Sequence, residues 1–246
     1  MGKNKLAKFA EMAGFKNVIQ VNFDELEPDG HLFKGIWNQK YFKKEQPIIL
    51  ELGCGKGEYA IALAEKYPEN NYIGIDIKGA RMFTGAKYAL LNDLENVAFV
   101  RTHIENLRSF FAPGEVSEIW LTFPDPQMKR DHKRLTSTKF LGMYGEVLQP
   151  GGLVHLKTDS GFMYSYTRAV VKLNQLDIVT DWNDVYAEDN RPDILNVRTF
   201  YEKQWLDRGI PTKYLAFRVR PDIEWKEPNE EFEKDPYRSF GRSARQ

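Results

Sequence analysis

The sequence is poor in cysteine: Cys54 is the only one in 246 residues. That excludes an internal disulfide and fits a reducing compartment. Charge of one sign is also missing, since 35 Lys and Arg stand against 35 Asp and Glu. Net charge therefore announces no nucleic-acid contact, and any basic surface has to be local. No apolar run approaches the roughly 18–20 residues of a membrane span, so no membrane contact is expected. The opening MGKNKLAKFAEMAG holds no apolar core of a secretory signal. Met1-Gly2 begins like a myristoylation signal, but Leu6 stands where Ser or Thr belongs. The expected location is the cytoplasm. What is present, 42% hydrophobic and 28% charged residues, is ordinary for a globular protein with one large core.

The middle of the chain alternates strand and helix patterns, with no internal repeat. QPIILEL (46–52), NYIGID (71–76), VAFVRT (97–102), VSEIWLTF (116–123) and LVHLKT (153–158) read as strands. Between them, 57–67, 79–93, 138–148 and 161–174 read as helices. A loop at 181–197, a helix at 198–209 and a strand at 213–220 follow. Continuous apolar strands alternating with helices predict a doubly wound α/β sheet, mostly parallel and covered on both faces. Three segments are expected: a basic, partly helical stretch at 1–45, the α/β domain at 46–220, and a polar tail at 221–246. The first has Lys3, Lys5, Lys8 and Lys16 against a single acid within its first 17 residues. Both ends are expected to be loosely attached, as solvated tails or as partner contacts.

ELGCGKGE (51–58) follows the first of these strands and opens a helix. Gly53, Gly55 and Gly57 allow a sharp turn and close approach of a ligand to the backbone. The third glycine comes one residue too early for the dinucleotide fingerprint, and no Lys-Ser/Thr completes a phosphate loop. A carboxylate at Glu51 would repel a pyrophosphate and attract an ammonium group. Asp76 ends the next strand, where an acid accepts hydrogen bonds from ribose hydroxyls. A glycine turn and two carboxylates describe a site for S-adenosylmethionine, which carries an ammonium, a sulfonium and no phosphate. The plainer alternative is a tight turn and a helix-capping Asp. Cys54 lacks the partners of a nucleophile and reads as a small buried residue.

LTFPDPQMKRDHKR (121–134) ends the fourth strand of this count, so Asp125 is expected at the ligand edge of the sheet, facing the cofactor's methyl group. Pro124 and Pro126 restrict its backbone and remove two N–H donors. Lys129, Arg130, His132, Lys133 and Arg134 follow as a compact basic surface that can neutralise phosphates, or as a plain solvated charge run.

ELGCGKG, GID, FPDPQMKRDHKR, HLKTD (155–159) and TFYE (199–202), in that order from about residue 46 to 219, resemble the tRNA (guanine-N7-)-methyltransferases. The resemblance implies a class I methyltransferase fold, Rossmann-like, with one antiparallel strand near the C-terminal end of the sheet. It implies S-adenosylmethionine as methyl donor, no metal, and tRNA as partner, methylated on a guanine of the variable loop. By position, Glu51, Gly53, Gly55, Asp76 and Asp125 correspond to cofactor-binding residues, and Asp125 to the catalytic aspartate. Lys129, Asp159, Thr199, Phe200, Tyr201 and Glu202 correspond to substrate contacts. Three features depart from the family pattern: Gln127 replaces the usual Trp, the basic run is about a residue shorter, and His103 stands where Asp or Asn is frequent. His103 is carried as an adenine-side contact, with a loop histidine as the alternative. Asp159 can instead cap the next helix, Tyr201 can pack with Trp205, and Glu202 can be a surface acid.

Guanine N7 has an in-plane lone pair and no proton, so the reaction needs positioning more than a general base. Asp125 and Asp159 are expected to accept from guanine N1–H and the exocyclic amine and to balance charge on the methylated ring. The base has to be presented to the pocket, and unstacking it costs roughly a few kcal/mol. Three other readings stand beside this one. They are a methyltransferase of the same fold acting on another RNA, a small molecule or a protein, a non-catalytic RNA-binding relative, and a nicotinamide oxidoreductase, against which Glu51 and the glycine spacing speak. The sequence says nothing of oligomeric state.

Overall fold

A computed structural model describes residues 2–21, 26 and 28–238. In chain order its elements are α1 (Gly2–Met12), β1 (Val18–Gln20), β2 (Ile48–Leu52), α2 (Glu58–Lys66), β3 (Asn71–Ile75), α3 (Gly79–Leu91), β4 (Val97–Arg101) and α4 (Leu107–Phe110). They continue with β5 (Val116–Thr122), α5 (Thr138–Val147), β6 (Leu148–Thr158), α6 (Gly161–Leu173), β7 (Ile178–Trp182), α7 (Phe200–Leu206) and β8 (Lys213–Arg218). The strands form one sheet in the order β1-β4-β3-β2-β5-β6-β8-β7.

The continuous apolar strands are buried on both faces because successive side chains point to opposite sides. Leu50, Ile73, Ile119 and Val154 join Phe140, Tyr144, Met163 and Val170 of α5 and α6 in one core. Ile49, Tyr72, Phe99 and Trp120 join Tyr59, Leu63, Met82 and Ala86 of α2 and α3 in the other. β8 runs antiparallel to both β6 and β7, so the single reversed strand lies near the C-terminal end, as expected.

Two strands escape the sequence pattern. β1 has three residues, and β7, partly inside the expected 181–197 loop, is an edge strand with half-exposed residues and no apolar run. The described part of the C-terminal segment is not loose either. Glu227 accepts from the Thr138 N–H (2.9 Å), the Thr138 hydroxyl (2.7 Å) and the Tyr166 phenol (2.8 Å). Asp235 accepts from the Phe162 N–H (3.1 Å) and from Ser160. Two acids of this polar stretch thus cap the N-termini of α5 and α6 from far away in sequence, which composition cannot reveal.

β2 pairs with β3 on one side and β5 on the other, so the chain order reverses there. A crevice forms outside the carboxyl ends of the strands at such a point. Gly53, Asp76, His103, Phe123 and Asp159 all follow parallel strands and meet at that edge. β8 runs the other way, with Lys213 opposite Thr158, so the segment before it arrives at the same edge.

Candidate active site

The glycine turn is built from inside. Gly53, Gly55 and Gly57 have φ of 75°, 57° and 72°, a region that costs residues with a Cβ. Asp76 braces the turn: its Oδ2 accepts from the Gly55 N–H (2.9 Å) and its Oδ1 from the Lys78 N–H (2.7 Å). Lys78 is the N-cap of α3, so Asp76 is not the cap. An added Cβ on Gly53 or Gly55 would meet nothing nearer than 3.9 Å, so neither position is crowded by the fold.

Glu51 lies under this turn, 3% exposed. Thr122 donates to its Oε1 (2.6 Å) and the Ala60 N–H to its Oε2 (2.9 Å). Neither partner is a cation. Burial pushes its carboxyl up to about 7, against those two hydrogen bonds. A buried carboxylate with no counter-cation among the described residues, beside an uncrowded glycine turn, fits the ammonium end of S-adenosylmethionine. His103 is exposed after β4, at the N-cap of a short 3₁₀ turn, with no side-chain cap bond.

Asp125 is exposed on a turn bounded by two non-glycine residues of positive φ, Phe123 (51°) and Gln127 (47°). Such conformations cost of order 1–3 kcal/mol and persist where the surroundings enforce them. The Phe123 N–H is held by the Lys157 carbonyl (2.8 Å), and the Gln127 N–H donates to Asp125 Oδ1 (3.1 Å). The turn aims the carboxylate outward beside exposed Lys129, Arg130, His132 and Lys133. Arg134 does not belong to that surface. Its guanidinium is buried over the rings of Phe162 (4.8 Å) and Tyr166 (4.5 Å), pairs with Asp131 (2.8 Å), and anchors the loop to α6. A cavity of about 510 Å³ lies beside the loop, bounded by His132, Arg134, Glu227 and Phe232, and no residue of the glycine turn lines it.

Phe200 and Tyr201, 46% and 38% exposed, stand at the start of α7. The Phe200 N–H donates to Glu58 (3.1 Å), and the Lys56 ammonium sits 4.0 Å from the Phe200 ring centre. Arg81 approaches the Tyr201 ring at 5.7 Å. These interactions bring α7 against the glycine turn and the start of α3.

Three expected substrate contacts are closed to a ligand. Thr199 is buried as the N-cap of α7, in a capping box with Glu202. Glu202 is fully buried: Tyr186 and Thr212 donate to Oε1, and Lys157 and the Thr199 N–H to Oε2. Asp159 is fully buried too, with Arg238 on Oδ1 (2.6 Å) and Oδ2 and Tyr237 on Oδ2 (3.1 Å). Nor does Asp159 cap α6, whose N-cap is Ser160. All three side chains are buried and hydrogen-bonded within the chain, so in this arrangement none of them is exposed to a ligand.

A family model described as "Putative methyltransferase" matches residues 45–215. A tRNA (guanine-N(7)-)-methyltransferase of Bacteroides thetaiotaomicron is 50% identical over 245 residues, covering 100% of this chain and 97% of the relative. One from Porphyromonas gingivalis is 51% identical, covering 95% of this chain and 98% of the relative.

The chain belongs to the tRNA (guanine-N(7)-)-methyltransferase family.

Among solved structures, the 16S rRNA methyltransferase KamB superposes with a TM-score of 0.58 at 14% identity, covering 74% of this chain and 92% of that one. An antibiotic-related methyltransferase gives 0.56 at 16% identity, covering 82% and 96%. These likenesses bear on the fold. In this family member, sequence reasoning passed over Thr122, Glu58, Lys157 and the Tyr237-Arg238 pair. Lys157 stands inside HLKTD, where a lysine in an otherwise apolar central strand was the available signal.

Proposed function

We propose that this family member transfers a methyl group from S-adenosylmethionine to N7 of a guanine in the variable loop of tRNA. The observation that carries the reading is the exposed Asp125, held outward by a strained turn at the switch-point edge and followed directly by four exposed basic side chains. The full-length similarity to relatives named tRNA (guanine-N(7)-)-methyltransferase supports methylation of tRNA at guanine N7. A cytoplasmic location is part of the same reading.

When bound, S-adenosylmethionine supplies an electrophilic methyl group on a sulfonium centre. Glu51 holds the donor's ammonium end, with Thr122 and the Ala60 N–H orienting the carboxylate. Gly53 and Gly55 let the donor approach the backbone, and the outer lone pairs of Asp76 take ribose hydroxyls while the inner ones brace the turn. His103 lies on the adenine side. Asp125 accepts hydrogen bonds from the guanine edge and balances the positive charge that grows on the ring as N7 is methylated. Lys129 and its exposed neighbours hold phosphates. Phe200 and Tyr201 offer ring faces to the nucleoside, and base–aromatic stacking contributes roughly 1–3 kcal/mol per base.

The test is methyl transfer from labelled S-adenosylmethionine to unmodified tRNA transcripts, with 7-deazaguanine in the variable loop as control. The wild type labels the normal transcript, and the deaza transcript gives almost nothing. Asp125→Ala lowers kcat/KM by roughly a hundredfold or more, the scale of removing one preorganised polar group that faces the transition state. Labelling of the deaza transcript at the normal rate would refute N7 as the acceptor.

A further inference from the structure

β6 runs through the middle of the sheet, and Lys157 near its end is completely buried. Burying an ammonium costs several kcal/mol before its partners offset it, and an apolar side chain of similar volume would avoid that cost. Its presence calls for a reason other than packing. An ammonium has three N–H donors. All three go to a single stretch of chain: the Leu195 carbonyl (3.0 Å), the Val197 carbonyl (2.8 Å) and Glu202 Oε2 (2.9 Å). That stretch ends in the capping box from which Phe200 and Tyr201 project.

The backbone of the same residue reaches the other half of the site. The Lys157 carbonyl accepts from the Phe123 N–H (2.8 Å), the residue whose positive φ begins the Asp125 turn. One residue therefore joins the Asp125 turn through its main chain and the start of α7 through its side chain.

We infer that Lys157 is a positioning residue that sets the distance between the Asp125 turn and the exposed aromatic pair of α7, and hence the width of the site for the tRNA nucleoside. This rests on the reading of Phe200 and Tyr201 as tRNA-facing. Lys157 touches neither substrate nor cofactor. It acts through Glu202, whose other partners, Tyr186, Thr212 and the Thr199 N–H, complete a closed polar network around the pinned turn.

The test compares wild type with Lys157→Met. It measures kcat and KM for tRNA, the dissociation constant of S-adenosylmethionine, and amide hydrogen exchange. In Lys157→Met, KM for tRNA rises by roughly tenfold or more, while affinity for S-adenosylmethionine changes less than about threefold. Exchange protection is lost over 195–203 and kept in β2, β5 and β6. If that variant does not fold, Lys157→Met with Glu202→Gln removes the uncompensated carboxylate and is read in the same way. An unchanged KM in a folded variant overturns the inference. So does a loss of protection across the whole sheet, with KM and cofactor affinity moving together, because that is the pattern of general destabilisation. Phe200→Ala with Tyr201→Ala separates the two claims. If that pair leaves KM unchanged, the tRNA-facing reading fails and the positioning role with it. If it raises KM while Lys157→Met does not, only the positioning role fails.

Discussion

Gly53 and Gly57 share a left-handed backbone, but their missing Cβ atoms face different things. A Cβ on Gly57 would lie 2.6 Å from the Phe99 ring, inside the packing of α2 on the sheet. On Gly53 its nearest neighbour would be Leu135 Cδ1 at 3.9 Å, an ordinary contact. Alanine at either position meets the left-handed penalty of roughly 1–2 kcal/mol. Gly57→Ala adds a core clash and is expected to lose stability markedly in urea unfolding. Gly53→Ala is expected to stay folded and to lose affinity for S-adenosylmethionine in calorimetry. Glu51 yields a pH prediction. Its carboxyl titrates near 7 in the free fold, above the ordinary value of 4.5, so the neutral form is favoured there. The stability it contributes is full below about 4.5 and is lost as pH rises through about 7. A bound ammonium favours the carboxylate, so binding expels a proton in this window. Affinity for S-adenosylmethionine is expected to rise with pH up to about 7, then fall above about pH 8 as the donor's α-amino group deprotonates. Glu51→Gln flattens the acid limb, and calorimetry across buffers of different ionisation enthalpy reads the proton release.

Elements are held in place here by residues remote in sequence. The described part of the C-terminal segment lies across α5 and α6, clips Asp159 with Tyr237 and Arg238, and sets the Tyr237 ring at a tilt against Trp205 of α7 (5.1 Å). Removing one partner of a buried ion pair leaves an uncompensated charge and costs about 3–5 kcal/mol. Arg238→Ala is expected to lose a stability of that order, measured by chemical unfolding, because Asp159 has no exposure at all. Asp159→Asn with Arg238→Ala is expected to recover part of the loss. If Arg238→Ala unfolds like wild type, the clip does not hold the tail. Arg134 does for the basic loop what Arg238 does for the tail, through rings of α6 and Asp131.

Across the whole molecule, zero net charge conceals a divided surface. Lys129, Arg130, His132 and Lys133 are exposed close together in the loop after β5, while Glu227 and Asp235 of the tail are turned toward helix N-termini. RNA binding through such a patch weakens steeply with salt. The logarithm of kcat/KM for tRNA is expected to fall linearly with the logarithm of salt concentration. Lys129→Gln with Lys133→Gln is expected to reduce that slope by about 1.5, at roughly 0.7–0.9 for each phosphate no longer neutralised. An unaltered slope would place the phosphates elsewhere.

The α/β alternation, the glycine turn, and the placement of Glu51, Asp76 and the proline-bracketed Asp125 at or beyond the ends of their strands were legible in the sequence, because each rests on local chemistry: periodicity, backbone freedom, or an acid at a strand end. β1 and β7 were not, since short or half-exposed edge strands are defined by their neighbours and not by their own pattern. The roles of Asp159, Thr199 and Glu202 were not legible either. Motif position brought them to the carboxyl edge of the sheet, but whether a carboxylate faces solvent or is buried against partners depends on Lys157, Tyr186, Thr212, Tyr237 and Arg238, which lie up to 79 residues away. Burial and hydrogen-bond partnership are properties of long-range packing. A single chain of letters specifies which chemistry is present at the site, and the folded arrangement settles which of those groups is left free to act.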